Sequence, residues 1–189
     1  VRARALTSDE LTKIREVLQD ASARDRCLFE LGVNAGLRVS ELVALNVGDV
    51  WSYDAPVSAL ELTRTKRNRH RRVPLNGKAK DAISALISAK ADADERLDPD
   101  APLFCNANGH RLSRQGADLA LKDIYRSCRL SGKVTTHSLR KTFATTLLNK
   151  GATLRTIQEL LGHSSLSTTE RYLAVTDDQL SAAVGMLEG

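Results

Sequence analysis

The sequence contains no Cys-x-x-Cys pair, no His-x-x-x-His pair, no apolar run approaching a membrane span and no signal-peptide pattern at its N-terminus. It also has no internal repeat and no low-complexity segment. Each absence excludes something. Cys27, Cys105 and Cys128 are odd in number and widely spaced, and His110 is the only histidine near a cysteine, so neither a zinc centre nor a disulfide framework is expected. Reduced, structural thiols in a cytosolic setting fit this usage. No metal or cofactor is expected, and no membrane partner. The chain begins at Val1 rather than Met, which leads to the expectation of a fragment.

What remains is a chain of 189 residues, long enough for one sizeable core. Hydrophobic residues make up 42% and charged residues 27%, ordinary values for a globular protein, so composition alone points to no special class. The net charge of +5 favours a polyanionic partner.

Hydrophobic periodicity and capping signals lay out mainly helices. Thr7-Ser-Asp-Glu10 is a capping box leading into Leu11, Ile14, Leu18 and Ala21, with Leu6 placed as a hydrophobic staple. A second helix is expected over 24–35, stopped by Gly36, and a short third over 37–45. Residues 57–65 alternate as a strand, and 71–75 is its return, with Pro74 at a strand edge or end. From Arg64 through Arg72 there are six Lys/Arg and no acid, a basic β-hairpin. Helices follow over 76–91 and 113–128, separated by an acidic, proline-bearing loop over 92–102. Three more are expected over 136–150, 153–161 and 167–174, then a tail helix from 176 with Leu180, Ala183, Val184 and Leu187 in its stripe. The expected fold class is mainly α with a small antiparallel β-sheet, an α+β domain.

The chemistry concentrates in residues 135–172. His137 and Arg140 stand at i and i+3, so a helix presents them on one side. His163 follows a Leu-Leu-Gly helix end, and Tyr172 lies just beyond. Imidazole, guanidinium and phenol together suggest an anion site with a nucleophile. A phenol is a poor nucleophile unless cations or a base favour the phenolate, and Arg171 and His163 are the neighbours suited to that. Upstream, Arg38 has Glu41 one turn later, which taken alone is an ordinary surface pair. Paired arginines suit phosphate, because each guanidinium is a permanently charged planar fork. Most of the hairpin cations have a plain reading as a solvated, non-specific phosphate patch. One lysine there could instead donate a proton to a leaving oxygen, and periodicity does not single it out.

These boxes together resemble the tyrosine recombinase (phage integrase) family. The resemblance rests on His137-Ser-Leu-Arg140, on residues 160–169 (LLGHSSLSTT) with Arg171-Tyr172, on residues 35–42 (AGLRVSEL), and on the hairpin at 65–75 (TKRNRHRRVPL). It covers nearly the whole chain in the family's order, and it implies the catalytic-domain fold of that family. It further implies that Tyr172 attacks a DNA phosphate to give a 3′-phosphotyrosyl link, while Arg38, Arg140 and His163 hold the non-bridging oxygens. His137 assists proton transfer and phosphate binding, Lys66 protonates the departing 5′-oxygen, and Glu41 supports. A one-step register shift would hand the role of Lys66 to Arg67, a much poorer proton donor. Arg64, Arg67, Arg69, Arg71, Arg72 and Arg171 are expected to contact DNA. Lys141 follows Arg140 where many members carry a second histidine.

The implied activity is site-specific recombination without ATP or metal, on double-stranded DNA, by a homotetramer in the synaptic complex that is a monomer when free. The implied location is the cytoplasm, on the nucleoid. A type IB topoisomerase and a catalytically inactive DNA-binding relative are the alternatives. The short spacing of the boxes argues against the first, and six competent residue types argue against the second. One catalytic domain is expected over 1–189, with a core over 7–175, a tail helix over 176–189, and no N-terminal core-binding domain.

Overall fold

The structure, a computed structural model, describes residues 3–64 and 69–162. The expected elements over 167–174 and 176–189 lie outside the described residues, as do Lys66, Arg67, His163, Arg171 and Tyr172.

Helix α2 (Ala23–Ala35) is the centre of the molecule. Its Cys27, Leu28, Phe29, Leu31, Val33 and Ala35 are all buried, so it is covered around most of its circumference rather than along one stripe. It packs chiefly against α5 (Gly77–Asp92) and α7 (Thr136–Asn149), with α1 (Ser8–Gln19), α3 (Val39–Leu42) and α6 (Arg114–Ser127) also in contact. The α2–α7 approach is close because Gly32 has no side chain: a Cβ there would lie 2.5 Å from Leu139 Cδ1. The apolar stripes expected on α5 (Ala79, Ala82, Ile83, Leu86, Ile87) and α6 (Ala117, Leu121, Ile124) are all buried.

Caps form where the sequence places them. Thr7 Oγ1 accepts from the Glu10 N–H while the Glu10 carboxylate accepts from the Thr7 N–H, completing the capping box of α1. The segment before α1 is tied to α7, since the Leu6 N–H donates to Thr142 Oγ1 at 2.8 Å. Thr135 caps α7, and Thr153 caps α8 (Leu154–Leu161).

Three expectations need adjusting. The helix expected over 37–45 shrinks to Val39–Leu42. Arg38 is extended at its start, and the Val43 and Leu45 carbonyls at its end accept from Arg111 Nη1 instead of continuing a helical ladder. The hairpin return begins earlier than residue 71: β3 (Ala59–Arg64) pairs antiparallel with β4 (Arg69–Pro74), with Leu60 opposite Val73 and Arg64 opposite Arg69. Pro74 is the last residue of β4, and beyond it the Leu75 N–H still donates to the Ser58 carbonyl at 2.9 Å. Finally, a one-turn α4 (Val47–Val50) and a second tiny sheet, β1 (Trp51–Ser52) with β2 (Ala55–Pro56), were not anticipated. Their turn, Tyr53-Asp54, has positive φ at both residues, a conformation usually announced by Gly or Asn.

Over the described residues the architecture is mostly helical with two small antiparallel sheets. Among the described residues no helix is long and apolar enough to cross a membrane.

Candidate functional site

Four sequence-selected side chains meet where α3, α7, β4 and the end of α8 converge. Glu41 is the hub. Its Oε1 accepts from Arg38 Nη1 at 2.8 Å, and its Oε2 accepts from the Arg38 N–H at 2.7 Å and from Arg71 Nη2 at 2.8 Å. The ordinary i,i+3 pair of Arg38 and Glu41 is therefore one edge of a larger network. Burial pushes the Glu41 carboxyl upward. Arg71, the Arg38 N–H and the guanidiniums of Arg38 and Arg140 outweigh that and hold it below the usual carboxylate range.

Arg140 enters from α7. Its side chain is almost fully buried, with the residue 2% exposed, an unusual state for a permanent cation. Nη1 donates to the Gly36 carbonyl at 2.5 Å and Nη2 donates to the Leu161 carbonyl. Both acceptors sit at helix C-termini, where the carbonyl ends of the dipole favour a cation. Gly36 also has the Phe143 ring against it, one turn along α7 from Arg140.

Arg71 departs from the solvated reading. Its side chain is 10% exposed, held between Glu41 and the Leu161 carbonyl, which accepts from Arg71 Nη1 at 2.6 Å. One carbonyl thus serves two guanidiniums. Sequence reasoning grouped Arg71 with its neighbours because a basic strand shows no sign of which member another element will cover.

The remaining candidates stand apart. His137 lies in the first turn of α7, its N–H bonded to Thr135 Oγ1, and is exposed, whereas Arg140 three residues on turns inward. Arg72 is exposed and pairs with its cross-strand partner Glu61 at 3.1 Å. Arg64 and Arg69 are register partners at the outer end of the described hairpin. Three guanidiniums around a single carboxylate leave an excess of positive charge, suited to a bound anion such as a phosphodiester. Among the described residues no group of His, Cys, Asp and Glu is placed to hold a metal ion.

The profile of the phage integrase family matches residues 4–179. The tyrosine recombinase XerC of Herpetosiphon aurantiacus is 42% identical over 156 residues, covering 82% of this chain and 49% of that protein. The tyrosine recombinase XerD of Oceanobacillus iheyensis is 37% identical over 178 residues, covering 93% of this chain and 59% of that protein. The chain spans about half the length of the curated relatives it matches. Among solved structures, XerA recombinase superposes with a TM-score of 0.82 at 26% identity, over all of this chain and 67% of that one. XerH site-specific recombinase, in a post-cleavage complex with a palindromic difH substrate, gives 0.77 at 25% identity, over 98% of this chain and 53% of that one.

Proposed function

Because this chain belongs to the phage integrase family, we propose that it carries the catalytic part of a site-specific DNA recombinase. The observation that supports this most directly is the convergence of Arg38, Glu41 and Arg140. Residues far apart in sequence form one positively charged site in which both arginines are held by named acceptors. Donors fixed in advance stabilise charge that grows on phosphate oxygens in the transition state at little reorganisation cost.

In this reading Tyr172 Oη attacks the scissile phosphorus and the bond to the 5′-oxygen breaks. Lys66 protonates that oxygen as it leaves. Arg38, Arg140 and His163 hold the non-bridging oxygens, and His137 assists proton transfer and phosphate binding. Glu41 keeps Arg38 oriented. The 3′-phosphotyrosine preserves the bond energy, so attack by the 5′-hydroxyl of another strand reverses the step without ATP or metal. Double-stranded DNA bearing a specific site is the substrate. Four protomers form the synaptic complex and the free protein is a monomer, acting at the nucleoid in the cytoplasm. The single catalytic domain runs over 1–189, with its core over 7–175.

A nicked suicide duplex tests the chemistry. The chain should form a covalent protein–DNA band on denaturing gels, and Tyr172→Phe should form none. An undiminished band from Tyr172→Phe would remove the tyrosine from its role.

A further inference from the structure

Arg71 has no part in the steps above, yet it joins three pieces of the site. It sits on β4, opposite Leu62 on β3, and reaches both Glu41 of α3 and the last carbonyl of α8. A two-stranded hairpin is at best marginally stable alone, so its orientation depends on what holds it. Burial holds the base of this one. Leu60 and Val73, opposite each other, are buried, whereas Leu62 one level further out is only partly so. At that outer level the Arg71 fork supplies directional contacts to α3 and to the end of α8. The end of α8 is shaped around the same side chain. Gly162 has φ +61°, and a Cβ there would lie 2.9 Å from Arg71 Nη1.

We propose that Arg71 is a positioning residue for strand breakage: it fixes the outer part of the β3–β4 hairpin, and with it the general acid at Lys66, against the Arg38–Arg140 phosphate site. The inference rests on the reading of Lys66 given above. The Arg71 side chain is turned inward, onto Glu41 and the Leu161 carbonyl. A lysine at 71 would keep the charge but lose the rigid fork that reaches two acceptors in two directions.

The consequence is specific to the leaving group. A 5′-bridging sulfur leaves without a proton, so loss or displacement of the acid slows cleavage of an oxygen-bridged strand far more than of a sulfur-bridged one. The experiment measures covalent-complex formation by Arg71→Gln, Arg71→Lys and Lys66→Ala. It uses nicked duplexes with either bridging atom, built on the site the chain selects from a random-sequence duplex pool. A well-placed acid contributes about 100-fold or more, so Arg71→Gln should slow the oxygen substrate by about tenfold and the sulfur substrate by less than about threefold. Arg71→Lys should fall between wild type and Arg71→Gln. Both rates come from one preparation, so any unfolded fraction cancels in their ratio. Adding Arg71→Gln to Lys66→Ala should cost nothing further. Equal slowing of both substrates by Arg71→Gln, with Lys66→Ala rescued by sulfur, would overturn the role of Arg71 alone. Failure of sulfur to rescue Lys66→Ala would overturn the acid assignment and this inference with it.

Discussion

The body built around α2 and the small cluster between α7 and α8 are held together by different forces. The body is apolar and continuous, running from Ile14 and Leu18 of α1 through Phe29 of α2 to Ile83 of α5 and Leu121 of α6, all buried. Its buried carboxylate Glu30 is satisfied nearby by Arg15 and Asn34. The second cluster has four buried side chains, Phe143, Ala144, Ile157 and Leu161, backed by partly covered neighbours such as Leu147 and Leu160. It meets the body through the Phe143 ring and through guanidinium bonds: Arg140 to Gly36 and Leu161, and Arg71 to Glu41 and Leu161. The polar junction between the two regions is also the candidate site. Stability of the body and geometry of the site can therefore be disturbed separately.

The largest effect should come from the body. Phe29 is fully buried, and Phe29→Ala should cost about 3–5 kcal/mol through lost burial and the cavity left behind. That loss should be nearly independent of pH and salt in urea unfolding. A strong pH dependence would mean that the body and the charged junction are energetically one unit.

A smaller and more diagnostic effect is expected at the junction. Glu41→Gln keeps the shape but removes the charge that three arginines face, at a cost of about 1–3 kcal/mol. The sign of its pH dependence follows from the lowered native pKa. The stabilisation that wild-type Glu41 contributes is fully present above the carboxylate's unfolded pKa, and it is lost as pH falls through the depressed folded value. Wild type and Glu41→Gln should differ most near neutrality and converge in acid. Unfolding midpoints across a pH series would show this, and a constant difference would refute it.

The smallest effect should appear on the outer face of α8. Arg155 and Glu159 pair at 2.8 Å but both are largely exposed, so Glu159→Ala should change stability by less than about 0.5 kcal/mol. A larger shift in thermal midpoint would place α8 under more strain than its partners suggest.

Legibility from sequence follows the same division. Helices α1, α5 and α6 were readable because a cap and a one-sided stripe state both their start and their buried face. Helix α4 and the β1–β2 turn were not, since four residues after Asn46 are too few to show a period and the left-handed Tyr53-Asp54 pair contains no glycine. At the site, the family resemblance grouped Arg38, Glu41 and Arg140, whereas local pattern alone left Arg38 and Glu41 as an ordinary surface pair. Nothing in the local pattern marked Arg71 among its basic neighbours, because strand alternation says which side a residue faces but not what will cover that side. The partners that fix the arginines were equally hidden, since the Gly36 and Leu161 acceptors are backbone carbonyls.

The contact between Gly32 and Leu139 has a mechanical consequence. Arg140 follows Leu139 directly on α7, and Gly36 stands one turn beyond Gly32 on α2, so this close steric contact and the arginine's acceptor are neighbours on both helices. Helix α7 behaves as a keyed shaft in that seat. It cannot turn or slide by a residue without driving Leu139 into the backbone of α2, and so the heading of the arginine beside it is locked by shape before any charge is considered.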